Sequence, residues 1–131
     1  MRQKKKNELL TEVELEFMSH LWKLGQGTVR DVLANLAEGR NLAYTSAATI
    51  LRILEQKEFV VSSKQGKTFV YRPTIKKDVY QSRSLKNLSE KLFDDTPVSL
   101  VARLVDDAGM SEKALEEIRA LLDKRLKNDT D

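Results

Sequence analysis

The hydrophobic period of this chain changes once, and the change limits the folds open to it. From Thr11 to Gln56, apolar residues recur at helical spacing in three successive segments. From Phe59 to Arg72 they fall in two short β-branched runs around Gln65-Gly66, which is a turn signal. Periods of about 3.6 and 2 bury different faces, so one segment cannot serve both. Three helices followed by a hairpin is the layout of a winged helix-turn-helix.

The helix boundaries are written locally. Thr11 with Glu14 forms a capping-box signature, and Val13, Phe17, Leu21 and Leu24 make a stripe that Gly25 ends. Met18 and Trp22 flank that stripe, so Trp22 reads as a core residue and His20 as a surface or half-buried one. Thr28 caps a second helix, with Val29, Val32, Leu33 and Leu36 inward and Gly39 closing it. Arg40 to Ala43 connect to a third helix over about Tyr44 to Gln56. Its core face is Ala47, Ile50, Leu51 and Leu54.

The opposite face of that third helix carries Thr45, Ala48, Thr49 and Arg52, with Ser46 beside them. It is small and polar with one cation, unlike the Glu/Lys mixture of a solvated helix. Such a slim face suits the DNA major groove, about 12 Å wide, where Thr and Arg side chains reach base edges and phosphates. Lys64 and Lys67 flank the hairpin tip and suit backbone phosphate, with Tyr71 or Arg72 as further candidates. The candidate DNA-binding set is therefore Thr45, Ser46, Ala48, Thr49, Arg52, Lys64 and Lys67. Residues 1–9 read as a basic flexible tail carrying Arg2, Lys4, Lys5 and Lys6.

Beyond Pro73 the chain reads as helical. One helix covers about Lys76 to Phe93, with Leu85, Leu88 and Leu92 on one side. Thr96 caps a second, with Pro97 at its first position and Gly109 at its end. Ser111 caps a third that carries Leu115, Ile118, Leu121, Leu122 and Leu126. So small a unit cannot easily bury three apolar faces alone, and a second copy would complete its core. The candidate dimerisation residues are Leu88, Leu92, Leu100, Val101, Leu104, Val105, Leu115, Ile118 and Leu122. The expected architecture is mainly α with a small β-hairpin: a winged helix-turn-helix domain over 1–75 and a three-helix dimerisation domain over 76–131.

Composition then excludes several classes. The 131 residues include no cysteine and one histidine, which leaves no disulfide framework and no ligand set for zinc. No apolar run approaches the ~20 residues of a membrane span, and the basic start runs into Glu8 rather than an apolar secretory segment. Carboxylates are dispersed along helix surfaces, so neither an enzyme nor a cofactor is expected. The expectation is a soluble cytoplasmic protein. The formal charge is only +3. Residues 1–75 hold 12 basic and 8 acidic residues, and residues 76–131 hold 11 and 12, so the positive excess sits with the groove helix and hairpin. The modest total leaves a competing reading, a winged-helix protein-interaction module that does not bind DNA.

With those residues in view, the chain resembles the penicillinase and methicillin-resistance repressor family, which also includes copper-responsive repressors. The resemblance covers about Leu10 to Lys127. Its most specific stretch runs from Leu42 to Leu51, similar to the family's recognition helix. Supporting stretches are Glu14 to Met18 with Leu21-Trp22, Phe69 to Pro73, and Ser99 to Val101 followed by Glu116 to Arg119 with Leu121-Leu122. The resemblance implies a homodimeric winged-helix repressor on a palindromic operator. Ala48 cannot make the polar contact some members make there, and Ile53 replaces an arginine common in relatives. In the antibiotic-resistance branch, repression ends by cleavage at an Asn-Phe pair. The matching positions here are Arg103-Leu104, the candidate proteolytic switch, and a derepressing protease or sensor is the implied partner. The copper branch uses a C-terminal cysteine cluster, which a chain without cysteine cannot form.

Overall fold

The computed structural model describes residues 9–37 and 40–129. The tail cations Arg2, Lys4, Lys5 and Lys6, and the expected helix stop at Gly39, lie outside them. Helix α1 spans Glu12–Leu24. Thr11 caps it: its Oγ1 accepts from the Glu14 amide at 3.2 Å, and Glu14 Oε1 accepts from the Thr11 amide at 2.9 Å. Gly25, at φ 89°, donates its N–H to the Leu21 carbonyl and closes the helix.

Helix α2 spans Val29–Ala34 behind a second capping box, Thr28 with Asp31. It stops well short of Gly39. Asn35 Nδ2 donates to the Asp31 carbonyl at 2.7 Å, taking the acceptor that its own amide would use in a continuing helix. The Asn35 amide turns to Val32 instead. Leu36 lies beyond the helix but still packs on the core.

Helix α3 spans Tyr44–Gln56, with Ala47, Leu51 and Leu54 buried and Ile50 partly so. It ends in a Schellman turn: the Phe59 amide donates to the Leu54 carbonyl and the Glu58 amide to Glu55. Strands β1 (Val60–Gln65) and β2 (Thr68–Pro73) pair antiparallel, from Val60 opposite Pro73 to Gln65 opposite Thr68. The turn is thus Gly66-Lys67, one residue later than the Gln65-Gly66 signal. Gly66 takes φ 66°, which a glycine adopts without strain. Gly27, between α1 and α2, makes a single isolated bridge to Tyr71 of β2.

Helix α4 spans Lys77–Leu92, α5 Pro97–Asp107 and α6 Glu112–Asp129. Thr96 occupies the N-cap position of α5, but its hydroxyl donates to the Asp94 carbonyl rather than capping the helix amides. Ser111 does cap α6, accepting from Ala114 at 3.1 Å. None of the described helices is long and apolar enough to cross a membrane.

The chain divides into two compact units between Ser84 and Leu85, inside α4. The expected boundary at 75/76 marks the change of periodicity. Tyr80 shows why the first turns of α4 go with the preceding elements. Its ring packs against Trp22 and Phe59, and its hydroxyl accepts from the Leu10 amide at 2.7 Å. The first unit has a continuous core built on Phe17, Met18, Leu21, Val32, Leu51, Leu54 and Phe59. In the second unit Ser89 is the only buried residue among those described. The architecture is a winged helix-turn-helix followed by α-helices, with no sheet other than the hairpin among the described residues.

Candidate nucleic-acid interface

Helix α3 differs from α1 and α2 at its N-terminus. The first two start with an accepting threonine and an acidic residue in the first turn. Helix α3 starts at Ala43, with no side-chain cap and no acidic residue in its first turn. Backbone amides at a helix start carry partial positive charge, and here no side chain of the helix neutralises it. From Arg40 to Leu54 the sequence holds no carboxylate, and neither does the hairpin from Val60 to Pro73.

Thr45, Ser46, Thr49 and Arg52 are all exposed on α3. Ala48 is not on that open face. It is half-buried and packs against the core, so its methyl lies at the edge of the surface. Thr49 Oγ1 donates to the Thr45 carbonyl at 2.9 Å. Its hydroxyl proton is therefore used within the helix, and what Thr49 can offer a ligand is an oxygen acceptor and a methyl group.

Lys64 and Lys67 are exposed at the hairpin tip, and Lys64 Nζ lies 6.0 Å from the centroid of the half-exposed Phe69 ring. Arg72 is exposed. Tyr71 is only 8% exposed, so it serves the core rather than a ligand. Burial raises its phenol pKa, the nearby Glu55 and Tyr44 add to the rise, and Arg52 partly offsets it. The phenol stays protonated through the neutral range.

Two features join these parts, and sequence reasoning missed both. Glu55, on α3, accepts from the Ser62 amide at 3.1 Å and the Ser62 hydroxyl at 2.7 Å, which ties the helix to β1. Arg30, exposed on α2, sets its guanidinium 5.4 Å from the centre of the Tyr44 ring at the start of α3. Each pairs residues from different elements, so neither has a spacing signature. The set from α3 and the hairpin thus lies in one unit, held by Glu55, while the candidates in α4, α5 and α6 from Leu88 onward lie in the other.

In the second unit the candidate dimerisation residues Leu88, Leu92, Val101, Leu104, Leu115 and Leu122 are exposed, and Leu100, Val105 and Ile118 are half-buried. Arg103 and Leu104 lie inside α5, where the Arg103 guanidinium sits 3.5 Å from the Asp107 carboxylate. No group of His, Cys, Asp and Glu among the described residues could hold a metal ion.

The sequence model of the penicillinase repressor family matches residues 10–124. The chain is 22% identical over 116 residues to the methicillin resistance regulatory protein MecI of Staphylococcus aureus, covering 88% of this chain and 94% of that one. It is 23% identical over 120 residues to the penicillinase repressor of Bacillus licheniformis, covering 92% and 94%. Among solved structures, the YusO protein of Bacillus subtilis shares the fold with a TM-score of 0.54 at 15% identity, over 96% of this chain and 79% of that one.

Proposed function

The chain belongs to the penicillinase repressor family, and from that premise we propose that it is a sequence-specific DNA-binding transcriptional repressor that acts as a homodimer on a palindromic operator. The observation that carries the reading is the pairing of an α3 that starts uncapped and carries no carboxylate before Glu55 with a hairpin whose only charges are cations. Helix α3 enters the major groove, where Thr45, Ser46, Thr49 and Arg52 meet base edges and phosphates and Ala48 contributes a methyl contact. Lys64 and Lys67 hold the flanking backbone, adding salt-dependent affinity but little sequence information. Glu55 fixes the hairpin against the helix, so both parts reach the duplex in one geometry.

Residues 76–131 serve dimerisation through Leu88, Leu92, Leu100, Val101, Leu104, Val105, Leu115, Ile118 and Leu122. A two-fold dimer matches a two-fold operator and doubles the contacts of a modestly charged subunit. Derepression by a protease or sensor at Arg103-Leu104 would require α5 to open there, because a helix does not present an extended backbone for cleavage. Selection of genomic fragments on the purified protein tests the reading. A shared two-fold symmetric site is the expected result, and retention without any preferred sequence would overturn it.

A further inference from the structure

The geometry points to a second ligand site in the first unit, at the base of the hairpin, for a small amphipathic carboxylate. The last turns of α1 and the link from β2 to α4 enclose an open cleft of about 1010 Å³. That is large enough for a small organic ligand. Its walls combine an aromatic surface with cations: Trp22 and Pro73 supply apolar area, and Lys23, Lys76 and Lys77 surround it, with His20 as a further polar neighbour. Among the described residues, no carboxylate lines the cleft. Lys23, Lys76 and Lys77 make no ion pair with any described residue.

Like charges gathered around one concavity repel each other, and an anion placed among them relieves that repulsion. The apolar wall adds what inorganic anions lack, a surface for a hydrocarbon body. The indole N–H of Trp22 donates to the Ile75 carbonyl at 2.9 Å and its ring packs against Tyr80, which together fix the half-buried ring as a wall of the cleft. The cleft is separate from the α3 face. It includes no residue of α3, and Pro73 stands at the opposite end of β2 from the Gly66-Lys67 turn, roughly 20 Å away along the strand.

Trp22 is the only tryptophan in the chain, so its emission reports directly on the cleft. Octanoate, octanol and inorganic phosphate are titrated separately against the full-length protein. Octanoate is expected to change Trp22 emission saturably, and octanol and phosphate to bind at least roughly tenfold more weakly. The double variant Lys23→Glu/Lys77→Glu is expected to weaken octanoate binding roughly tenfold or more, while Lys124→Glu on the exposed face of α6 leaves it unchanged. No saturable change would overturn the proposal. So would octanol or phosphate matching octanoate, a double variant that binds as the parent does, or an equal loss in Lys124→Glu.

Discussion

Phe17, Leu51 and Leu54 in the first unit are sealed from solvent, whereas Leu92, Leu121 and Leu126 in the second remain more than 60% exposed. The residue types are alike, so the difference lies in what surrounds them. The first unit sets three helices, a hairpin and the Tyr80 turn of α4 around one buried centre. Among the described residues, the second has helices whose apolar faces stay largely exposed. Burial of apolar area is the main favourable term in folding, so the first unit carries its stabilisation within itself. The proposed dimerisation would supply comparable burial to the second. On the proposed function, this would separate reading from assembly: a change that disrupts assembly would leave the geometry of α3 and the hairpin intact.

The largest test of the contrast is a matched pair of truncations. Phe17→Ala, at a fully buried site, is expected to lower the stability of the first unit by about 3–5 kcal/mol, read from urea unfolding. Leu104→Ala, at a half-exposed site, is expected to leave the first unit's transition in place and shift the dimer–monomer equilibrium seen by sedimentation. If Leu104→Ala destabilises the first unit as much as Phe17→Ala does, the two units are not energetically separate.

A second test reaches the polar part of the first unit. Lys57 Nζ lies 2.9 Å from both oxygens of the buried Glu14. Burial alone would raise the Glu14 pKa, but the Lys57 ammonium and the Thr11 hydrogen bonds outweigh it, and the net shift is downward from 4.5. A carboxyl lowered on folding adds stability above its unfolded-state value, and that stability is lost as pH falls through the folded-state pKa. Lys57→Met strands the carboxylate and is expected to cost about 3 kcal/mol at neutral pH. It should also flatten the acid limb of the stability curve of the first unit. An unchanged acid limb would remove Glu14 from that unit's pH dependence.

The elements legible from the sequence are those whose causes are local. Thr11 and Glu14 are three residues apart, so spacing alone announces that cap, and Thr28 stands out as the start of α2, although its partner Asp31 emerges only in the structure. The bounds of α3 follow from its periodicity. What escaped depends on partners far along the chain or on a choice between equivalent local bonds. Asn35 could have continued its helix and instead satisfies Asp31 with its side chain. Ala48 looked outward by spacing, yet packs on the core, because the core reaches further round α3 than three inward positions suggest. Tyr71 looked like a strand-end polar residue until its pairing with Gly27 and neighbouring Glu55 placed it inside. The Glu55–Ser62 tie, seven residues apart across a helix end and a strand, has no pattern to read.

Smaller effects probe the surface of the first unit proposed to face DNA. Because Thr49 donates its proton to Thr45, it can read a base only as an acceptor or through its methyl. Thr49→Ala is expected to weaken operator binding by ~1–3 kcal/mol while leaving binding to unrelated duplex unchanged. Thr49→Val keeps a methyl and should recover part of the loss if the methyl carries the contact. Lys67→Ala should weaken all sequences alike and lower the slope of log affinity against log salt by about 1. If both variants alter specific and non-specific binding equally, α3 and the hairpin do not divide reading from holding.

The smallest expected effect concerns the joint between those two parts. Glu58 follows α3 with φ 69°, the left-handed position of the Schellman turn that glycine favours. A non-glycine residue there costs roughly 1–2 kcal/mol in backbone strain, and glycine loses part of that gain through its freer unfolded chain. The Thr74 hydroxyl donates to the Glu58 backbone carbonyl, an acceptor that glycine also has. Glu58→Gly is therefore expected to stabilise the first unit by about 0.5–1 kcal/mol in thermal unfolding, with the second unit unaffected. It should also leave the relative placement of α3 and the hairpin intact, because Glu55 still holds Ser62. Stabilisation accompanied by weaker operator binding would instead mean that the strained residue, and not Glu55, sets the angle between helix and hairpin.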